Sequence, residues 1–122
     1  MGVLVGWAAA GCHPATMGLG PVPAVAKLFA RTKTSWKDVD LVELNEAFAA
    51  QVLGVLKGWG WDDRDKLNVN GSGISLGHPI GATGVRILTT LLHEMQRRKA
   101  RLALETMCVG GGQGIAALFQ AP

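Results

Sequence analysis

Cysteine is scarce in this 122-residue chain, with two residues, Cys12 and Cys108. They stand far apart and outside any CxxC or Cys/His ligand spacing. That excludes a zinc finger or a disulfide framework and makes a reducing, cytoplasmic setting the expectation. No metal is expected. Long apolar runs are also lacking. The apolar start, Val3 to Ala10, is too short to cross a bilayer, and no basic residue precedes it as a signal peptide requires, so it reads as a strand. Charged residues are sparse at 17%, and the basic ones gather only at Arg97, Arg98, Lys99 and Arg101. No aromatics interleave with that cluster, as a nucleic-acid surface would want; it reads as a helix end whose cations complement the dipole. Neither a nucleic-acid nor a membrane partner is expected.

What is present argues for one folded domain over residues 1–122. Hydrophobic residues make up 48% and glycine contributes 17 residues, a composition of packed core and tight turns. After the first strand and a Gly18-Leu-Gly-Pro21 punctuation, Val25, Leu28 and Phe29 recur at helical spacing up to about Arg31. Leu41 to Leu44 is a second short strand. Asn45 then reads as the start of a helix carrying Phe48, Val52, Val55 and Leu56 on one face and closed by Gly58 and Gly60. Leu67 to Asn70 reads as a third strand. A Gly-rich loop from Gly71 to Gly84 leads to a helix bearing Val85, Leu88, Leu91, Leu92 and Met95. Arg101 to Val109 and Gly114 to Phe119 form a closing hairpin through Gly110-Gly-Gly-Gln-Gly. The expected order is βαβαβαββ: a layered α/β domain with a mixed sheet and helices packed on it, parallel neighbours from the crossovers and an antiparallel pair at the end.

Three segments carry more chemistry than a scaffold requires, and each follows a strand, where α/β sheets usually assemble sites. They are Asn45 to Gln51, Asn70 to Gly84, and Cys108 to Gly114. His78 lies between Gly77 and Pro79 just before a helix N-terminus, where a neutral imidazole can accept a thiol proton or donate to an oxyanion. Cys108 sits beside three glycines whose bare N–H groups can converge on an anion, and a thiol titrates near enough to neutrality to serve as a base or nucleophile. Asn45, ordinarily a helix cap, could from the same place hold a water or a carbonyl oxygen. A nucleotide-binding loop is excluded by spacing: the glycines from Gly71 do not complete GxGxxG, and no GK[ST] follows.

Asn45-Glu-Ala-Phe48, Gly77-His-Pro-Ile-Gly81 and Cys108-Val-Gly-Gly-Gly112 together resemble, in order, the three C-terminal signatures of the thiolase family, and Met17-Gly-Leu-Gly-Pro21 resembles the segment before the first helix of that domain. The resemblance implies a thiolase-like C-terminal domain acting on CoA thioesters, with no further cofactor. It implies that His78 activates a cysteine nucleophile and helps bind an oxyanion, that Asn45 holds the water completing this oxyanion hole, and that Cys108 moves the α-proton of the second acyl-CoA. The Gly110 N–H would stabilise the acyl-enzyme oxyanion, and Ala47 and Phe48 would line the pocket. No segment here resembles the family's nucleophile region or CoA-binding loop. The chain alone is therefore expected to be inactive. An apolar face should await an N-terminal half or self-association, with a homo-oligomer expected of a full-length enzyme. The alternative is a non-catalytic remnant or interaction module that keeps the fold.

Overall fold

A computed structural model describes residues 1–122. The elements are β1 (Val3–Gly11), a 3-10 turn (Pro14–Leu19), α1 (Pro21–Thr32), β2 (Leu41–Leu44), α2 (Ala49–Trp59), α3 (Gly73–Leu76), α4 (Thr83–Arg98), β3 (Leu102–Val109) and β4 (Gln113–Gln120). The sheet order is β1-β4-β3-β2. β2 and β3 are parallel, while β4 is antiparallel to both β3 and β1. The expected parallel neighbours are therefore found at β2 and β3, and the hairpin strand β4 separates β1 from them.

Alternation along the strands divides the core into two layers. Ala8, Val42, Leu44, Leu104, Ala116 and Leu118 face α1 and α2, meeting Ala24, Val25, Leu28, Val52, Val55 and Leu56. On the opposite face Leu41 and Ala103 meet Leu91 and Met95 of α4. Leu28, Leu104 and Leu118 are fully buried; truncating any one to alanine costs about 2–5 kcal/mol. Phe29, Trp36, Trp59 and Trp61 close one end of the larger layer, with Trp36 stacked on Trp61 at 4.6 Å between ring centroids. Because α4 lies over β2 and β3, the same face of β1 and β4 is left open. Leu4, Trp7 and Ile115 are exposed there.

Three local expectations are corrected. The α2 helix begins at Ala49, with Phe48 in the capping position, so Asn45 is not a cap. Its N–H instead extends the β2–β3 ladder by donating to the Thr106 carbonyl at 3.0 Å. The expected third strand at Leu67–Asn70 reduces to a single parallel bridge between Leu67 and Val42. Asn68 adopts a left-handed backbone (φ 46°), and its side-chain amide takes the place of a strand, accepting from Leu44 N and donating to Leu44 O at 2.8 Å each. Val85 is 71% exposed; Ile87, Leu91 and Met95 hold the buried stripe of α4, and a residue two positions before Ile87 points away from it.

The basic cluster does end a helix. Arg97 and Arg98 both bond the buried Glu94 carboxylate, and Arg98 Nη1 reaches the Asp65 carbonyl at 2.9 Å. Two other cations serve the sheet: Lys27 Nζ donates to Ala9 O at 3.0 Å and Arg31 Nη1 to Trp7 O at 3.1 Å. Occupying those carbonyls blunts the β1 edge against pairing with another strand.

One close approach is unforgiving. A Cβ on Gly114 would lie 2.0 Å from Gly20 O, so the entry to α1 can touch β4 only because both residues are glycine. Gly114→Ala is expected to lower stability by about 1–3 kcal/mol or more in urea unfolding. Gly81→Ala, with nothing within 4 Å of its Cβ, should change little by comparison.

Candidate active site

The three chemistry-bearing segments converge at the C-terminal ends of β2 and β3. Asn45 to Phe48 lead from β2 to α2 through a bend at Ala47 and are tied to the Gly-rich loop by Glu46. The Glu46 carboxylate accepts from Asn68 Nδ2 at 3.3 Å and from Ile74 N at 3.2 Å. Gly73 presses against this segment: a Cβ there would lie 2.5 Å from Glu46 O and 3.0 Å from Asn45 Oδ1. That fit places the following loop, residues 77–82, so that the His78 ring lies beside the Asn45 amide, with Nδ2 at 3.4 Å from His78 Nε2 and 3.5 Å from Nδ1.

Asn45 is fully buried, and its Oδ1 accepts no hydrogen bond within the chain. A buried amide oxygen left unpaired is costly; this one lies beside Gly73 and off the cavity wall, where a buried water would satisfy it. Thr83, the first residue of α4, meets His78 from the other side, with its hydroxyl oxygen 2.7 Å from Nδ1.

Cys108 is the next-to-last residue of β3 and is 7% exposed. Burial pushes its thiol pKa up, opposite to the lowering that would favour a resting thiolate. Once its proton is removed, the thiolate is correspondingly a stronger base. The hairpin beyond it turns through Gly111 (φ 88°) and Gly112 (φ 97°), conformations that only glycine adopts freely. The Gly110 N–H takes no part in the backbone bonding of the turn.

A cavity of about 370 Å³ gathers these groups. It is lined by Met17, Ala47, Phe48, His78, Ile80, Met107, Cys108, Val109 and Gly110. Five of the six residues expected from sequence reach its wall, and the sixth, Asn45, touches His78 from behind. Sequence reasoning missed Met107, Val109 and Ile80. The first two are neighbours of Cys108, so strand position could have suggested them; Ile80, inside the His-Pro loop and 84% exposed, had only its place in the motif to mark it. Met17 was noted only as part of the segment before α1. Cys12 is outside the cavity wall, with its sulfur 3.8 Å from Met17 O.

Beneath the site, on the α4 face, two glutamates are neighbours across the parallel pair β2–β3. Desolvation pushes Glu43 up to about 8, with Arg86 opposing the shift and Glu46, Glu105 and Glu94 adding to it. Burial pushes Glu105 up to about 7. Glu43 Oε2 and the Nε and Nη1 of Arg86 have no hydrogen-bond partner in the chain.

A layered α/β domain that presents an imidazole, a thiol and a bare glycine N–H to one apolar-walled cavity has the parts of an acid–base site for carbonyl chemistry. The chain belongs to the thiolase family: the family model for the thiolase C-terminal domain matches residues 1–121. Over its full length it is 54% identical to an acetyl-CoA acetyltransferase of Chromobacterium violaceum, of which it covers 31%. A 3-ketoacyl-CoA thiolase of Idiomarina loihiensis is 55% identical over 93% of this chain and 30% of its own length. Among solved structures, the acetyl-CoA acetyltransferase of Bacillus anthracis superposes with a TM-score of 0.97 at 48% identity, covering all of this chain and 31% of that one. Human mitochondrial 3-ketoacyl-CoA thiolase in complex with CoA superposes at 0.96 with 47% identity, covering 99% of this chain and 30% of that one. The chain thus spans under a third of the relatives it matches.

Proposed function

We propose that this chain is the C-terminal catalytic half of a thiolase, transferring acyl groups between CoA thioesters by Claisen condensation or, in reverse, by thiolysis of a 3-ketoacyl-CoA. The observation that carries the reading is the meeting of His78, Cys108, Gly110, Ala47 and Phe48 on one cavity, with Asn45 held against His78. In this scheme a cysteine supplied by an N-terminal half takes the acyl group, and its thiol proton passes to His78. The departing CoA sulfur takes that proton back from His78 and leaves as a thiol. Cys108 gives its own proton to the freed imidazole and, as thiolate, removes an α-proton from a second acyl-CoA; the resulting carbanion attacks the acyl-enzyme carbonyl and expels the cysteine, which His78 reprotonates. Gly110 N–H stabilises the acyl-enzyme oxyanion, while His78 and a water held by Asn45 stabilise the enolate oxygen. Ala47 and Phe48 shape the pocket. The substrates are CoA thioesters, and no metal or further cofactor enters the scheme.

The open face of β1 and β4, with Leu4, Trp7 and Ile115 exposed, supports a covering partner. An N-terminal half fits that requirement, and the complete enzyme is proposed to be a cytoplasmic homo-oligomer. No helix is long and apolar enough to cross a membrane.

Thiolysis of acetoacetyl-CoA should be absent with the chain alone, appear when it is mixed with a thiolase N-terminal half, and disappear again with His78→Ala. A folded chain silent in both conditions would favour a non-catalytic interaction module. Activity of the chain alone would overturn the assignment of the nucleophile to a partner segment.

A further inference from the structure

We infer that Glu46 is a positioning residue: its carboxylate, held by Asn68 and by the first turn of α3, fixes where the His78 ring stands beside Asn45. This rests on the reading of His78 as an acid–base group, but the positioning can be read without any activity. Asn68 begins the chain of contacts. Its amide uses every atom it has: Oδ1 accepts from Leu44 N at 2.8 Å, while Nδ2 donates to Leu44 O at 2.8 Å and to Glu46 Oε1 at 3.3 Å. The other carboxylate oxygen of Glu46, Oε2, accepts from Ile74 N at 3.2 Å. Ile74 lies in the first turn of α3, where an N–H has no backbone acceptor of its own.

Each oxygen of one side chain thus meets a donor from a different segment. Only a group that accepts at both ends can join them; in a glutamine of the same shape, one end would be an NH₂ meeting an N–H. The hold on Ile74 reaches His78 through α3. Leu76 N donates to Ser72 O at 2.8 Å and Gly77 N to Gly73 O at 3.0 Å, which closes residues 72–77 into one turn that ends next to His78. Gly73 seats that turn. A Cβ there would lie 2.5 Å from Glu46 O, so the turn rests on the backbone of the residue whose carboxylate holds it. Asn45 precedes Glu46 in sequence and His78 follows the turn, so one carboxylate sets both sides of the Asn45–His78 contact. Glu46 is not among the residues that line the cavity, so it acts through His78 and not on substrate.

The test is ¹H–¹⁵N NMR of the uniformly labelled chain and its Glu46→Gln variant, with His78 assigned by loss of its ring signals in His78→Gln. In the unmodified chain the Ile74 amide, corrected for its intrinsic rate, should exchange with solvent roughly tenfold more slowly than that of Ser75, whose N–H has no acceptor; that is the scale of one net hydrogen bond. Glu46→Gln should remove this protection and shift the His78 ring signals, leaving those of His13 and His93 in place. In complex with a thiolase N-terminal half it should lower kcat for acetoacetyl-CoA thiolysis by about 10- to 100-fold with KM little changed, the scale of a displaced reacting group. That loss should vanish in a His78→Ala background. Should Glu46→Gln unfold the chain, Glu46→Asp, which keeps two acceptors on a shorter arm, takes its place with the same readings. Complexes silent in every form would count against the catalytic half, while the two NMR readings still decide the role of Glu46. An Ile74 amide that exchanges as fast as Ser75 in the unmodified chain, His78 ring signals unmoved in the folded variant, an unchanged kcat, or a kcat loss of equal size in the His78→Ala background would overturn the inference.

Discussion

Replacing Cys108 by alanine is expected to reduce exchange of acetyl-CoA methyl protons with solvent by about 10³-fold, within the 10²–10⁴ range of a positioned acid–base group, while acylation of the partner's nucleophile survives. The chain would be assayed in complex with a thiolase N-terminal half, following deuterium incorporation from D₂O and acyl-enzyme formation separately. The separation follows from the geometry. Cys108 is a buried thiol at a strand end, raised in pKa by desolvation, and shares the cavity with His78 rather than bonding to it. Proton movement at the α-carbon should therefore depend on Cys108, and activation of the nucleophile on His78. An equal loss of both partial reactions would mean that Cys108 supports the cavity wall and has no role of its own in proton transfer.

The second large effect concerns stability. Glu43 and Glu105 have pKa values raised to about 8 and about 7 in the folded chain, against an ordinary glutamate value near 4.5. An acid raised on folding holds its proton longer in the native state than in the unfolded chain. Its contribution is therefore full at low pH and is lost as pH rises from about 4.5 to the folded value. The slope approaches about 1.4 kcal/mol per pH unit for each group. Urea unfolding should accordingly show the chain more stable near pH 5 than near pH 8, by a few kcal/mol. Glu43→Gln should flatten that slope, because the amide keeps the shape without titrating.

Glu94 acts in a different window. Hydrogen bonds from Arg97, with help from Asn70 and Arg98, hold it down to about 2, so its contribution is lost only as pH falls below about 4.5. A stability that stays flat or rises between about pH 5 and pH 8 would contradict the buried, proton-holding assignment of Glu43 and Glu105. So would an unchanged slope in Glu43→Gln.

The sequence showed most clearly what periodicity or motif spacing controls. The α1 stripe, the ends of β2, the closing hairpin and the cationic end of α4 all follow from spacing, Pro, Gly or charge placement. The convergence of Asn45, His78 and Cys108 was expected because the segments that carry them each follow or end an expected strand, and because of the motif resemblance. Tertiary contacts hid the rest. Asn68 replaces a strand with its own amide, which no pattern of apolar residues announces. Asn45 looked like a cap because it precedes a helix, but it spends its backbone on β3 and its side chain on His78. Thr83 looked like an ordinary helix residue, since its value lies in a contact with a ring five residues earlier. Glu43 and Glu105 are far apart in sequence, and only the register of a parallel pair makes them neighbours.

The central claim is that these residues form a working catalytic half, and it can be tested most directly by a chimera. The chain would replace the matching 31% of the Chromobacterium violaceum acetyl-CoA acetyltransferase, to which it is 54% identical. Acetoacetyl-CoA thiolysis would then be measured for the chimera and its His78→Ala variant. The account predicts activity within about tenfold of the parent enzyme and a loss of about 10³-fold in the variant. A chimera that folds and assembles as the parent does but shows no thiolysis, or one whose activity survives His78→Ala, would contradict it.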